Sequence, residues 1–200
     1  MLWDNSDSGV NDVKLDNCGD TLKITVFGGA SPKPDTPDYQ EAYKLGTMLG
    51  KAGHIVLTGG YIGTMEAASK GANEAGAHVI GVTCEAIEKW RPIKVNRWVH
   101  EEIKCQTLQE RLFVLIDQCD AAIALPGGVG TLAEIAMLWN HMVIDVIHKK
   151  KVILFGEGWH KIFQEFLTYQ GKYISTADQS MISYASKIES IPSMLDSNHP

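Results

Sequence analysis

The sequence predicts a single doubly wound α/β domain over residues 21–195, a parallel sheet covered by helices on both faces. Three observations predict it. Short β-type apolar runs alternate with helix-type stretches along the chain. Several runs are apolar throughout, as strands buried on both faces are. Three glycine-rich turns each lead from a strand-like run toward a helix-like one, the junction where open α/β sheets bind ligands.

The first run, residues 22–27, is β-branched and ends at Gly28-Gly29. A loop with Pro32, Pro34 and Pro37 follows. From 39 to 52, Ala42, Leu45, Met48, Leu49 and Ala52 fall at helical spacing, and Gly53 closes the helix. Residues 54–57 read as a strand, 58–60 as a turn, and 65–75 as a small-residue helix stopped by Gly76. A third strand is expected over 78–82. Residues 84–104 read as an irregular excursion with one short strand. A helix over 107–118 and a strand of Ala, Ile and Leu over 120–125 lead to Pro126-Gly127-Gly128-Val129-Gly130. Thr131 is expected to open a helix reaching about residue 147, followed by a strand at 151–155 and a helix at 159–169. An edge strand at 181–185 and a short helix precede a frayed tail, 196–200.

Two hundred residues suit one domain, and 44% hydrophobic with 21% charged residues is ordinary for a globular protein. The net charge of -6 is uneven: residues 1–20 hold Asp4, Asp7, Asp12, Asp16 and Asp20 against Lys14 alone. This stretch reads as a disordered acidic arm. It is not a signal peptide, and no apolar run approaches the roughly 18 residues of a membrane span. An acidic chain lacks the basic footprint of nucleic-acid binding, so neither nucleic acid nor membrane is an expected partner. Cys18, Cys84, Cys105 and Cys119 are scattered, with no paired spacing, and read as free thiols of a cytoplasmic protein. His100, His141 and His148 form no metal motif, so no metal is expected. Trp90, Trp98, Trp139 and Trp159 are expected as core or interface anchors.

The chemistry points to a phosphorylated small molecule. The candidate binding residues are Gly28, Gly29 and Ser31; Gly59, Gly60, Gly63 and Met65; and Pro126, Gly127, Gly128, Gly130 and Thr131. Glycine lets the backbone approach a ligand closely, and the free N–H groups of a first helical turn can hold an anion. No P-loop pattern occurs, and Gly128-Val129-Gly130 comes too late in the chain for a dinucleotide fingerprint. Glu134 is the candidate catalytic carboxylate, and the positive helix end is expected to favour its ionised form. An ionised carboxylate beside a sugar suits stabilising a developing cation or orienting water. A helix-capping role is the alternative. Arg111 is the second candidate, a clamp for a phosphate or a base. A surface arginine paired with Glu110 or Asp117 is its alternative.

Residues 126–134 spell P-G-G-x-G-T-x-x-E. With residues 58–66 and Arg111, they make the chain resemble the LOG (LONELY GUY) family of cytokinin-activating nucleoside 5′-monophosphate phosphoribohydrolases, also labelled lysine decarboxylases. No lysine lies in a context that supports the second label. The resemblance implies a Rossmann-like fold, a homodimer or higher homo-oligomer, no cofactor, and hydrolysis of a nucleoside monophosphate to free base and ribose 5-phosphate. It places Arg111 and Glu134 at the catalytic positions and the third turn on the phosphate. Two departures stand out. Active members carry M-H-x-R-K around the arginine, where Gln109 and Leu112 stand here, and Thr58 and Glu66 replace glycines of the second turn. In these features the chain is closer to a sister branch that includes molybdenum-cofactor carrier proteins, which implies a non-catalytic carrier as the alternative.

Overall fold

The computed structural model describes residues 20–196. The acidic arm, apart from Asp20, and the tail beyond Asp196 lie outside the described residues, as does Cys18.

In chain order the elements are β1 (Lys23–Phe27), α1 (Pro37–Lys51), β2 (Ile55–Thr58), α2 (Thr64–Glu74), β3 (Val79–Cys84), α3 (Glu85–Trp90), β4 (Glu101–Cys105) and α4 (Leu108–Asp117). Then come β5 (Ala121–Ala124), α5 (Val129–Val143), β6 (Lys151–Phe155), α6 (Glu157–Gln170), α7 (Thr176–Gln179), β7 (Ile182–Ala185) and α8 (Ile191–Asp196). All strands are parallel, in the order β4-β3-β2-β1-β5-β6-β7.

Alternate residues of the central strands feed two cores. Ile24, Val26, Ala121 and Ile123 pack against α1, α2 and α8. Phe27, Ala122 and Ala124 pack against α4, α5 and α6. This double burial explains why β3 and β5 carry no charge, whereas the edge strand β4 has Glu101, Glu102 and Lys104. Local signals set the helix starts. Thr36 caps α1 ahead of Pro37, and Thr107 with Glu110 forms a capping box on α4.

The expected doubly wound domain is therefore present. The helix expected to open at Thr131 begins at Val129 instead and ends at Val143, where Asp145 adopts a positive φ of 53°. The irregular stretch after β3 holds α3 as well as the one expected strand. Leu138 and Met142 are fully buried on the sheet of their own chain, while Met137 and Val143 remain exposed.

From β1 at the sheet centre the chain runs outward to β4, and then crosses back to place β5 on the free side of β1. That reversal opens a crevice beyond the carboxyl ends of β1 and β5, where open α/β sheets take their ligands.

Candidate functional site

Two of the three glycine turns leave β1 and β5 at this reversal, and the third leaves β2 beside them. Hydrogen bonds knit the three together. Gly29 N–H donates to the Pro126 carbonyl at 3.1 Å, and the Thr64 N–H and hydroxyl donate to the Gly29 carbonyl at 3.0 and 2.9 Å. Gly63 makes the close approach possible: its φ is +73°, and a β-carbon there would lie 2.5 Å from the Gly29 oxygen.

Above them lies a cavity of about 390 Å³, within the range of small-molecule sites. Of the predicted residues, Gly28, Gly29, Ser31, Met65, Arg111, Gly128, Gly130, Thr131 and Glu134 line it. Gly59, Gly60, Gly63, Pro126 and Gly127 do not line it and stand behind it. Gly60 and Gly63 shape the second turn, Pro126 accepts from Gly29, and Gly127 packs on the Thr131 side chain.

At the mouth of α5 the first helical bond runs from Leu132 N–H to the Gly128 carbonyl. The N–H groups of Val129, Gly130 and Thr131 therefore precede the helical ladder. Open space lies where β-carbons would sit at Gly128 and Gly130, so packing within the chain does not demand glycine there. Such a mouth can receive an anion on bare amides. Thr131 is only 3% exposed, its hydroxyl tucked against Gly127, so its backbone N–H is better placed than its side chain to meet a ligand.

Arg111 is not a surface arginine. Glu110, its expected surface partner, is engaged at the start of α4, taking the N–H groups of Gln106 and Thr107. The Arg111 side chain turns inward and is 11% exposed. Its Nε donates to the Val82 carbonyl at 2.8 Å and its Nη2 to the Gly59 carbonyl at 3.2 Å. Gly59 leaves the room for this, since a β-carbon there would stand 2.0 Å from Nη2. The guanidinium is thus fixed across the ends of β2 and β3, with Nη1 3.7 Å from Glu134 Oε1.

Glu134 sits in the second turn of α5, 14% exposed and facing Arg111. Burial pushes its carboxyl up to about 7, against the opposing pull of Arg111. The expected preference for the ionised form is thereby corrected. A helix end contributes about 0.3–1 kcal/mol and acts within the first turn, whereas desolvation of a buried carboxylate costs several times more. The group changes charge near neutrality, as a working base often does.

This carries a stability consequence. The unfolded carboxyl ionises near 4.5 and the folded one near 7, so the folded chain binds the extra proton between those values. Stability from this group is complete below pH 4.5, falls as pH rises to 7, and is lower by about 3 kcal/mol beyond. Glu134→Gln is expected to add about 1–3 kcal/mol at pH 8 and almost nothing at pH 4. Urea unfolding at both pH values checks this, and an equal gain at both would contradict it.

The remaining wall was not assigned in advance. Ala30, Tyr61, Ile62, Ile87, Trp90, Arg91 and Ile93 complete the lining. Trp90 is not an anchor in the core, being 81% exposed at the cavity edge. Trp139 and Trp159 are buried as expected, their indole N–H groups donating to Asp178 and Leu125 carbonyls. Gln109 and Leu112, the departures beside Arg111, do not line the cavity; Gln109 is exposed and Leu112 packs on the second core. Cys84, Cys105 and Cys119 are buried free thiols, and among the described residues no cluster of side chains is arranged to hold a metal.

A seven-stranded parallel sheet with a glycine-mouthed cleft at its point of reversal defines a Rossmann-like α/β protein. The chain belongs to the SLOG cluster4 family, whose profile matches residues 21–182. It is 30% identical over 168 residues to a cytokinin riboside 5′-monophosphate phosphoribohydrolase of Arabidopsis thaliana, covering 80% of this chain and 76% of that one. It is 31% identical over 116 residues to an uncharacterized protein of Archaeoglobus fulgidus, covering 58% of this chain and 72% of that one. Among solved structures, it resembles the molybdenum cofactor binding protein of Rippkaea orientalis, with a TM-score of 0.69 and 26% identity over 88% of this chain and 96% of that one. The resemblance to LOG proteins and the Rossmann-like fold both hold. No helix among the described residues is long and apolar enough to cross a membrane.

Proposed function

We propose that the chain hydrolyses the N-glycosidic bond of a nucleoside 5′-monophosphate, of the AMP or cytokinin-nucleotide type. The observation that carries this is the placing of a near-neutral carboxylate and a fixed guanidinium beside an open helix mouth in one cavity. The phosphate rests on the amides of residues 129–131. Glu134, ionised, faces C1′ and takes a proton from a water molecule, whose oxygen bonds to C1′ as the C1′–N bond breaks. The bond's electron pair leaves on the base, which Arg111 helps to neutralise and which then receives the proton taken up by Glu134, returning the carboxylate to its ionised form. The products are free base and ribose 5-phosphate, and no cofactor enters the step.

Incubation with a panel of nucleoside monophosphates, followed by chromatography, is expected to show free base with equimolar ribose 5-phosphate. Because the ionised carboxylate does the work, kcat/KM should fall about tenfold per pH unit below 7 and level off above it. A rate that instead falls above pH 7 would assign Glu134 as an acid and contradict this step.

A second reading, a carrier for a phosphorylated cofactor, is favoured by the Rippkaea orientalis likeness and by Gln109 and Leu112. It predicts thermal stabilisation by ligand with no product.

The reading includes a cytoplasmic homodimer. Leu132, Val143, Ile162, Phe166 and Tyr173 line an apolar groove of about 510 Å³ between α5 and α6, and an exposed apolar surface of this kind marks an interaction site. Light scattering is expected to give twice the 22.0 kDa chain mass, and Phe166→Asp a monomer. A monomeric parent protein would contradict the assignment.

A further inference from the structure

We propose that Trp90 is the platform on which the planar heteroaromatic ring of the ligand stacks. This rests on the nucleotide reading above and extends it from the phosphate and sugar to the base.

The tryptophan is anomalous where it stands. Among the described residues its ring has no aromatic, cationic or hydrogen-bonding partner, and it is 81% exposed. The other described tryptophans are engaged: Trp139 and Trp159 are buried, and Trp98 lies beneath Arg97, 4.6 Å from its ring centre. An apolar surface left in water beside a cavity is the informative kind of exposure.

The segment is also held in place at both ends. Tyr61 binds the start of α3, accepting from Cys84 N–H at 2.7 Å and donating to the Cys84 carbonyl at 3.1 Å. Asn96, beyond the helix, bonds the carbonyls of Gly60 and Tyr61 at 3.0 Å. Both anchors belong to the second glycine turn, so the segment that carries Trp90 is tied to that turn at both ends. Ile87 and Ile93 share this wall, which offers apolar surface suited to a ring face. The same cavity is lined by Arg111, Glu134 and, at the mouth of α5, Gly128, Gly130 and Thr131, with Arg91 beside Trp90. A ligand with its phosphate on that mouth and its sugar at Glu134 has its ring left for the Trp90 side. Stacking on an indole suits any planar ring and carries a substantial share of such a ligand's affinity.

Binding of AMP and, separately, of ribose 5-phosphate is measured by calorimetry in the full chain carrying Glu134→Gln to prevent turnover. The same titrations are repeated with Trp90→Ala and Trp90→Phe added. The expected result is about tenfold or greater weakening of AMP by Trp90→Ala, near-parental AMP affinity in Trp90→Phe, and ribose 5-phosphate affinity unchanged in both. An AMP affinity unmoved by Trp90→Ala, or AMP and ribose 5-phosphate weakened equally, overturns the platform and leaves the phosphate and sugar reading standing. Failure of both ligands to bind the Glu134→Gln chain and the parent chain overturns both proposals together. Trp90 is exposed, so the alanine variant is expected to unfold at the same urea concentration as its parent.

Discussion

Glu134→Gln is expected to lower kcat for base release about 10²–10³-fold while leaving KM within a few-fold of the parent. The carboxylate is the charge that faces the sugar in the proposed complex, and Gln keeps its shape and its packing in α5. What is lost is the negative charge that opposes the cation building at C1′ and the base that receives the water proton. Ground-state binding is carried elsewhere, by the amides of residues 129–131, so KM should move little. The same variant is expected to gain stability above pH 7, because it removes a carboxyl that burial holds at about 7. Stability and turnover should therefore move in opposite directions, as at sites where strain is retained for function. Steady-state kinetics with AMP reads the effect, and a kcat within twofold of the parent would remove Glu134 from the chemistry.

The second large effect is expected at Arg111. Its guanidinium is bonded to the carbonyls of Val82 and Gly59 and is the charge that holds the Glu134 carboxyl down. Arg111→Met leaves two acceptors unfilled and an inward carboxyl unopposed, a change that typically costs about 3–5 kcal/mol. With burial acting alone, the Glu134 carboxyl moves above 7, so the midpoint of the kcat/KM profile shifts to higher pH. Activity at pH 7 is expected to fall at least about 10²-fold. Should the methionine variant fold poorly, Arg111→Lys keeps the charge but not the fork. It should restore the pH midpoint more fully than the rate. A midpoint unchanged in both variants would contradict the coupling of the two side chains.

Much of the fold was legible because each element carries its own local signal. Continuous apolar runs mark β3 and β5, and Gly53 and Gly76 mark helix ends, whereas α1 starts at Pro37, two residues before the helical spacing begins. The start of α5 was misjudged by two residues, since Gly128-Val129-Gly130 reads as a turn although the first turn of a helix tolerates it. The reversal between β1 and β5 follows from strand order, which pattern alone leaves open. The glycines of the site were legible as a group but not by role. Gly128 and Gly130 face open space, while Gly59 and Gly63 exist to let Arg111 and Gly29 approach. The charge state of Glu134 was misread because helix position is visible in sequence and desolvation is not. For Trp90 sequence leaves core and surface open, and the structure excludes the core, the ring being 81% exposed.

The most direct test is a crystal structure of the chain with ribose 5-phosphate. Phosphate oxygens within hydrogen-bonding distance of the amides of residues 129–131, and C1′ turned toward the Glu134 carboxyl, are the predicted result. A phosphate bound away from the mouth of α5, or a sugar whose C1′ lies out of reach of Glu134, would contradict it.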